Sequence, residues 1–349
     1  MKIKSLLTSR KFALVFLLAL TLVGCGKEKK WDQNPATVEE EKKKHNVDHL
    51  LIEEIAYAGA PVIYSDKKVQ CYGYDYYVKI CNPSLEVKYI DGMVLMQAAI
   101  SSSLHYKLEK EDIKALENYF PASAVYRFPG SGKDYPIAPG ASITVALVAV
   151  DHTKKIGNEE YCLLGRAENS YDLSQANFQI WSEQQISSAY IEEKPKTPVP
   201  SLTCVFLQDD DVFALYPKIL ESFPFAESML ALANFDETKL KKWEFKEEIM
   251  YSAAKNKQHN HPRFFFCLAV PYELIVDAVN LCPTQEFVRL YMPKTLDAKC
   301  TGVKKYEREN AKEYAGKAVI RRHDGRNYVD NNNSSLDFQI KPASLTKQK

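Results

Sequence analysis

The stretch that decides the fold is Tyr76-Tyr-Val-Lys-Ile-Cys-Asn-Pro-Ser-Leu-Glu-Val-Lys-Tyr-Ile-Asp-Gly-Met-Val-Leu95, in which two short apolar runs flank an Asn-Pro turn. Short runs rich in β-branched and aromatic residues, bounded by turn formers, are typical of β-strands. The first run predicts a strand over residues 75–83, and the second predicts a strand over residues 87–96. The stretch therefore indicates a strand-rich domain.

The same pattern continues on both sides of this stretch, in the manner of a β-sandwich. Further strands are predicted over residues 50–59, 142–150, 202–207, 212–216, 229–235, 263–270 and 273–281. One helix is predicted over residues 111–120, because its apolar residues have helical spacing and Pro121 disfavours helix in the residue before it. The prolines of residues 194–200 indicate a semi-rigid connector.

The composition agrees with a mainly β protein. The chain has 349 residues, among them 21 Tyr and 16 Phe but only 13 Gly, and aromatic residues suit a pleated, half-buried surface. Its mean hydropathy of -0.33 excludes a multi-span membrane protein. The 46 Lys and Arg residues balance 45 Asp and Glu residues, so we expect no nucleic acid as a partner.

The N-terminus carries an export signal. Four cations, Lys2, Lys4, Arg10 and Lys11, precede an apolar run that is too short to span a membrane and ends in Leu22-Val-Gly-Cys25. This ending resembles the bacterial lipobox, which implies that residues 1–24 are a signal peptide and that Cys25 carries a lipid that anchors the protein to the membrane. The alternative is a plain secretory signal followed by an incidental cysteine.

A polar segment follows the anchor. Residues 25–48 are too polar to offset the entropy of ordering and predict a flexible tether. Gly26 stands where inner-membrane lipoproteins carry aspartate, which favours the outer membrane and leaves the leaflet open. His45 and His49 are four residues apart, a spacing that could bind a metal on a helix, but solvated tether residues explain the pair better.

Seven cysteines remain after Cys25, an odd number that cannot pair completely within one chain. No Cys-x-x-Cys occurs, which argues against zinc-ribbon and thioredoxin-like sites. Cys204 and Cys267 lie in apolar strands, where a thiol behaves as a small buried hydrophobe. We therefore expect buried thiols, with one or two disulfides of unassigned pairing as the alternative in an exported protein.

Three motifs that could carry chemistry fail a positional test. Gly130-Ser-Gly-Lys133 lacks the first glycine and the Ser or Thr of a phosphate loop, so we expect a turn between strands. His259 and His261 alternate in sequence and would point to opposite faces of an extended segment. Residues 330–337 resemble a calcium loop in part, but Ser335 and Lys341 replace its glycine and glutamate, which favours a turn rich in Asn and Asp. We therefore expect no metal, cofactor or catalytic residue.

A tyrosine cluster is the candidate binding surface. Period-2 geometry would place Tyr72, Tyr74 and Tyr76 on one face of a strand and Tyr77 on the other. Aromatic rings with a polar tip are common in interfaces, although these tyrosines could equally pack inside a sandwich. Trp181 and Trp243, in polar surroundings, are weaker candidates of the same kind.

Several strings resemble lamin-tail domains. These are residues 76–95, the Pro-Gly turn that leads from Phe128 into an apolar strand, and a closing portion formed by residues 275–280, 316–322 and 330–338. The resemblance implies an immunoglobulin-like β-sandwich over residues 49–340 with few short helices, a large insertion at roughly residues 160–265, and a C-terminal tail over residues 341–349.

Nearly the whole chain is similar to an uncharacterised family of Bacteroidetes lipoproteins, domain of unknown function 4876. The supporting strings are residues 128–136, 172–178, 199–202, 275–281 and 330–338. Members of this family are encoded near outer-membrane receptors of the TonB-dependent type. The resemblance implies an envelope protein, and the failure of the catalytic motifs favours a binding or accessory subunit in nutrient uptake and not an enzyme. The alternatives are an envelope enzyme with a site assembled from distant residues and a purely structural surface lipoprotein.

Overall fold

A computed structural model of the chain describes residues 47–57, 59, 61–63, 69–71, 75–102, 104–153, 170–180, 198–207, 228–252, 263–282, 290–303, 316–325 and 327–345. The predicted signal peptide, Cys25 and nearly all of the predicted tether lie outside these residues. The described part is mainly β, as predicted, and its helices are α1 (Lys110–Leu116), α2 (Ser334–Asp337) and two single 3₁₀ turns. None of these helices is long and apolar enough to cross a membrane.

The strands of the first half are β1 (Leu51–Ala56), β2 (Pro61–Ile63), β3 (Val69–Cys71), β4 (Tyr77–Cys81), β5 (Lys88–Tyr89), β6 (Val94–Ala98), β7 (Leu104–Lys107), β8 (Tyr119–Arg127), β9 (Pro136–Ile137) and β10 (Ser142–Ala146). Those of the second half are β11 (Phe178–Gln179), β12 (Thr203–Leu207), β13 (Met229–Ala233), β14 (Lys241–Ser252), β15 (Arg263–Pro271), β16 (Ile275–Asn280), β17 (Lys317–Arg321), β18 (His323–Asp324), β19 (Asn327–Tyr328) and β20 (Phe338–Pro342).

Most predicted strands are present, with two corrections. The strand predicted over residues 87–96 is divided into β5 and β6 by a turn at Asp91 and Gly92, where Gly92 has a φ of 69°. The helix predicted over residues 111–120 ends earlier, at Leu116, and Pro121 lies inside β8. The strand predicted over residues 212–216 lies outside the described residues.

Two sheets contain most of the strands. The smaller has the order β11-β10-β4-β1-β17-β20, and the larger has the order β16-β13-β6-β8-β15-β14-β7, with β12 also paired to β8. Neighbours within both sheets are antiparallel except β10 and β11. The two sheets share a buried core, to which β1 and β4 contribute Ile52 and Val78 and to which β6 and β13 contribute Leu95 and Leu232.

The larger sheet is buried on both faces. Along β13, Leu230 and Leu232 enter the core shared with the smaller sheet, whereas Met229, Ala231 and Ala233 enter a second cluster. Successive side chains of a strand point to opposite faces, so this alternation follows from the period of two. The second cluster also contains Leu116 of α1 and Met292, which cover the outer face.

The described strands within residues 160–265, the region of the expected insertion, belong to the two main sheets. β11 pairs with β10 in the smaller sheet, and β13 lies between β6 and β16 in the larger one. Distant parts of the chain also meet, since β17 pairs with β1. The described strands on both sides of residues 160–265 therefore build the same two sheets as the strands within this region.

Candidate functional site

A cleft of about 410 Å³ opens beside β16 at the edge of the larger sheet. One wall is formed by residues 295–296 and the other by residues 330–332, and His49 stands at the rim. The lining combines carboxylate, imidazole, amide and hydroxyl groups with apolar side chains: His49, Tyr272, Glu273, Ile275, Val276, Asp277, Ala278, Thr295, Leu296, Asp330 and Asn332. A concave site with a few convergent polar groups is the arrangement that small ligands use.

The cleft runs along an open strand edge. β16 pairs with β13 on one side, where the Leu281 N–H donates to the carbonyl of Ser228 at 3.2 Å. The N–H of Asn280 points the other way and donates to Asp297 at 2.9 Å. β16 is therefore an edge strand of the larger sheet, and its far end is held by Asp297.

A buried ion pair lies beneath the floor. Arg321 Nη2 donates to both carboxylate oxygens of Asp277, at 2.9 and 2.7 Å, and the Ile52 N–H donates to the same carboxylate at 2.6 Å. The guanidinium also stacks on Phe338, 4.4 Å from the ring centre. Burial would lower the pKa of Arg321, but the negative charges of Asp277, Asp330 and Asp337 together outweigh it and raise that pKa. The ion pair, together with the hydrogen bond from Ile52, thus connects β1, β16 and β17.

His49 connects the entry of the folded domain to the opposite wall. Its Nε2 lies 3.6 Å from Asp330 Oδ2, and its Nδ1 lies 3.5 Å from Asp48 Oδ1. The hydrogen bond with Asp330 raises the pKa of His49 despite partial burial. Burial would raise the pKa of Asp330, but the hydrogen bond with His49 and the charge of Arg321 lower it. Both ring nitrogens face carboxylates, which favours the imidazolium and leaves neither nitrogen placed to accept a substrate proton.

A buried carboxylate fixes both walls. Asp297 accepts hydrogen bonds from the N–H groups of Asn280, Ser334 and Lys299, at 2.9, 2.8 and 3.2 Å, and from the Ser334 hydroxyl. Burial raises the pKa of Asp297 to about 6, although these donors oppose the shift. The Ala298 N–H also donates to the carbonyl of Asn332 at 2.7 Å. The two walls are therefore joined to each other and to β16.

The loop that resembles a calcium site is closed by its own side chains. Asp337 accepts hydrogen bonds from the N–H groups of Asn331 and Asn333 and from the Asn331 amide. This is the Asn- and Asp-rich turn that the sequence analysis favoured. Among the described residues, no group of three or more His, Cys, Asp or Glu side chains is arranged to hold a metal ion.

The glycine-rich turn has a similar explanation. The Asp91 carboxylate accepts hydrogen bonds from the N–H groups of Gly132, Asp134 and Tyr135 at 3.1, 2.7 and 2.9 Å. A Cβ on Gly130 would lie 2.2 Å from Asp91 Oδ1, so glycine is required for this close approach. The amides that would bind phosphate in a phosphate loop here bind a carboxylate, and the segment is a structural turn.

The predicted aromatic site is not brought to the cleft. Tyr77 is buried, donates to Glu54 Oε1 at 2.7 Å and contacts the edge of Tyr171, so it belongs to the core and is corrected as a binding residue. Tyr76 and Trp243 are half-buried and pack against the two main apolar clusters. The remaining predicted or considered residues lie outside the described residues: Cys25, His45, Tyr72, Tyr74, Trp181, His259 and His261.

Sequence reasoning missed the cleft because its groups are far apart in the chain. The nearest signal was a charge within each of two apolar strings, Asp277 in residues 275–280 and Arg321 at the end of residues 317–321. A charged residue in a buried strand requires a partner of opposite charge. That rule could have paired these two residues, although it could not have added His49 and Asp330.

A second surface feature is an exposed apolar strip next to β5. Leu85, Val87 and Tyr89 are 69%, 46% and 38% exposed, and they alternate along the chain. Leu85 lies in the bend before β5, and Tyr89 lies in β5 itself. Clustered apolar side chains in water are a frequent sign of a contact surface.

Comparisons with known proteins identify the family. No curated protein matches the chain. A crystal structure of a DUF4876 family protein from Bacteroides thetaiotaomicron VPI-5482, at 2.50 Å resolution, is similar with a TM-score of 0.56 and 19% identity, over 84% of this chain and 71% of that one. The sequence profile described as "Protein of unknown function (DUF4876)" matches residues 138–344, more than half of the chain. The chain therefore belongs to the DUF4876 family.

Proposed function

We propose that this protein is a lipid-anchored protein of the outer membrane that binds a ligand in the cleft beside β16 and does not turn it over. The observation that carries the proposal is the combination of an open concave site with walls held in place by the buried carboxylate of Asp297. A rigid, preformed site reduces the ordering cost of binding.

The chemistry of the lining favours a ligand that joins a cationic group to an apolar body. Glu273 supplies negative charge to the lining, while Ile275 and Leu296 supply apolar surface. β16 is an edge strand, and an extended peptide can add to such an edge through backbone hydrogen bonds. We therefore infer that short basic peptides, or nutrients of similar chemistry, are the ligands.

The groups near the cleft support binding more than catalysis. Asp277 is occupied by Arg321 and by the Ile52 N–H, and His49 lies between two carboxylates. A general base needs a free lone pair directed at the substrate proton. The arrangement of His49 and Asp330 keeps an acid–base enzyme as the second candidate, because substrate binding could displace one carboxylate from the imidazole.

Anchoring follows from the sequence. A lipid on Cys25 and a tether of about twenty residues, with a span of about 5 to 6 Å times the square root of its length, would let the domain reach a neighbouring receptor of the TonB-dependent type. We propose the exposed strip of Leu85, Val87 and Tyr89 as the contact with that partner. The finer fold proposal is a lamin-tail-like variant of the immunoglobulin sandwich, supported by two antiparallel sheets that share one core.

Ligand binding is tested by equilibrium titration of the mature chain with hexapeptides that carry one lysine among apolar residues, compared with the same peptides carrying glutamate instead. We expect the lysine peptides to bind, and Glu273→Gln to weaken them about threefold, the usual effect of one exposed charge. Glu86→Gln, an exposed carboxylate that does not line the cleft, is the matched control. Equal affinity for both peptide sets would contradict the proposed ligand class.

Turnover and anchoring are measured separately. Cleavage or modification of the bound peptide that disappears in Asp330→Asn would establish the enzymatic alternative.

Membrane fractionation of Cys25→Ser tests the anchor, and we expect soluble or unprocessed protein. Capture of a receptor by tagged wild-type protein, reduced in Leu85→Ser and Val87→Ser, tests the strip.

A further inference from the structure

Cys282 and Cys300 lie next to a parallel bridge that joins the end of β16 to the chain returning from the cleft wall. Both side chains are buried. Leu281 and Thr301, the residues next to them, form a parallel bridge, in which the Cys282 N–H donates to the carbonyl of Thr301 at 2.7 Å and the Thr301 N–H donates to the carbonyl of Asn280 at 2.9 Å. The two chain segments are thus held together at Thr301, and Cys282 and Cys300, each one residue from the bridge, lie on the same face of it.

The two thiols are in hydrogen-bond contact. The hydrogen bond with Cys282, followed by burial, raises the pKa of the Cys300 thiol. Among the cysteines whose side chains are described, three others contact different groups: Cys81 interacts with Tyr328, Cys204 donates to the Phe206 carbonyl, and Cys267 donates to the Trp243 carbonyl. The geometry therefore distinguishes one pair among the described cysteines.

We propose that Cys282 and Cys300 are joined by a disulfide in the exported protein. The surrounding backbone is already held in place for this bond. A Cβ on Gly302 would lie 2.4 Å from the Cys282 carbonyl oxygen, so the two segments touch through their backbones. The Val303 N–H donates to the Tyr57 hydroxyl at 2.6 Å, which fastens the returning segment to the core. In the bond the two sulfurs would lie about 2.05 Å apart.

The reaction is a thiol–disulfide exchange with a disulfide donor such as an envelope oxidase or glutathione disulfide. One cysteine thiolate attacks the donor and releases the first donor thiol, and a mixed disulfide forms. The second cysteine then attacks the protein-bound sulfur of that mixed disulfide and releases the second donor thiol. The protein loses two electrons and two protons, and the donor gains them. Buried thiols react slowly, so we expect oxidation during folding, before the pair is enclosed.

The bond would close the segment that carries the cleft wall. Thr295 and Leu296 lie between the two cysteines and line the cleft. A covalent closure of this segment restricts the unfolded chain and fixes the wall against β16. This inference does not rest on the proposed ligand, and it depends on export only for the source of the oxidant.

The test refolds the full mature chain in a glutathione buffer containing both oxidised and reduced forms, and blocks the remaining thiols with an alkylating reagent. Peptide mass mapping without reduction is expected to give one linked species containing Cys282 and Cys300, lighter by two hydrogen atoms. The oxidised protein is expected to melt several degrees higher than the reduced protein, about 4 °C or more. Recovery of Cys282 and Cys300 as alkylated thiols after refolding would overturn the proposal.

Variants separate this bond from other effects of oxidation. In the double variant Cys282→Ala and Cys300→Ala, the melting temperature is expected to be the same in oxidised and reduced buffers. Cys204→Ser, which removes an exposed thiol, is the matched control and is expected to retain both the linked peptide and the temperature difference. A redox-dependent shift that persists in the double variant would assign the stabilisation to another pair and contradict the proposal. The mapping of the wild-type protein decides the question even if the double variant does not fold.

Discussion

At the residue scale, the two buried charges beneath the cleft are the most demanding feature. Arg321 and Asp277 are both almost fully enclosed, and removing either charge from water costs several kcal/mol unless its partner and further hydrogen bonds offset the loss. Here the guanidinium also donates to the carbonyls of Ile52 and Val329, and the carboxylate accepts from two N–H groups. Because these partners lie on three strands, the pair specifies how β1, β16 and β17 meet.

The first prediction concerns this pair. Arg321→Met should lower the free energy of unfolding by about 3 to 5 kcal/mol, because it leaves the Asp277 carboxylate buried without a counter-charge. Adding Asp277→Leu should recover much of the loss. Urea titration of both variants provides the measurement. Lys239→Met is the control, since Lys239 pairs with Asp236 at the surface and should change stability by less than about 1 kcal/mol. A double variant with a lower free energy of unfolding than Arg321→Met would contradict this account.

The second prediction concerns pH and His49. Its pKa is raised above 6.5 in the folded state, so its contribution is complete below about pH 6.5 and is lost as pH rises through the folded-state pKa. Wild-type protein should therefore exceed His49→Gln in stability at pH 5.5 by less than about 1 kcal/mol, a small value because the imidazole is partly exposed. The difference should vanish by pH 9.

The wild-type protein must be compared with His49→Gln because the titration of Asp297, which lies in the same region, also lowers the stability of the fold as pH rises. Its folded-state pKa of about 6 lies above the usual 3.8, so it also weakens the fold as pH rises between these values. That effect is common to wild type and His49→Gln and cancels in the difference. A wild-type advantage that persists unchanged at pH 9 would show that His49 acts through packing and not through its charge.

At the element scale, the Gly130 turn shows how one acidic side chain positions a loop. Asp91 follows β5 in the chain, and its carboxylate accepts hydrogen bonds from three N–H groups of residues 132–135. These bonds lower the pKa of Asp91 against the effect of burial, which would raise it. Asp91 therefore has two roles: it lies in the turn that separates β5 from β6, and it holds the loop of residues 130–135.

The third prediction compares two glycines of this turn. Gly130 and Gly132 have φ values of 113° and 122°, so alanine is strained at either position. Only Gly130 also meets the Asp91 carboxylate, whereas a Cβ on Gly132 meets no atom within 4 Å. Gly130→Ala should therefore destabilise the protein by about 1 to 3 kcal/mol more than Gly132→Ala. Thermal unfolding of both variants is the measurement, and equal melting temperatures would show that the Asp91 contact is dispensable.

The same elements show what could be predicted from sequence. Strands such as β4, β10 and β13 are recognisable because their apolar residues form short runs between turn formers. β8 was missed because Pro121, Ala122, Ser123 and Ala124 have low strand propensity. Their position between β6 and β15 is determined by packing and pairing with those neighbours. The cleft was missed for a related reason, since His49 and Asp330 meet only through the folded sheets.

At the scale of the whole molecule, the chain returns repeatedly to both sheets. β1 has β4 on one side and β17 on the other, and β13 lies between β6 and β16. Few pairings are therefore local, and each half of the chain contains strands whose neighbours belong to the other half. Such a topology has unpaired strand edges until both halves are present, and open edges favour association between chains.

The last prediction follows from this topology. A protease site inserted after Lys194 should leave the uncleaved protein folded, because that position lies in the proline-rich connector between β11 and β12. After cleavage, the two pieces should stay together in gel filtration, since β13 remains paired to β6 and β17 to β1. Each piece expressed alone should aggregate and lack a cooperative urea transition, whereas joint refolding of the two should restore it. Cooperative unfolding of either piece alone would show instead that the halves are separate domains.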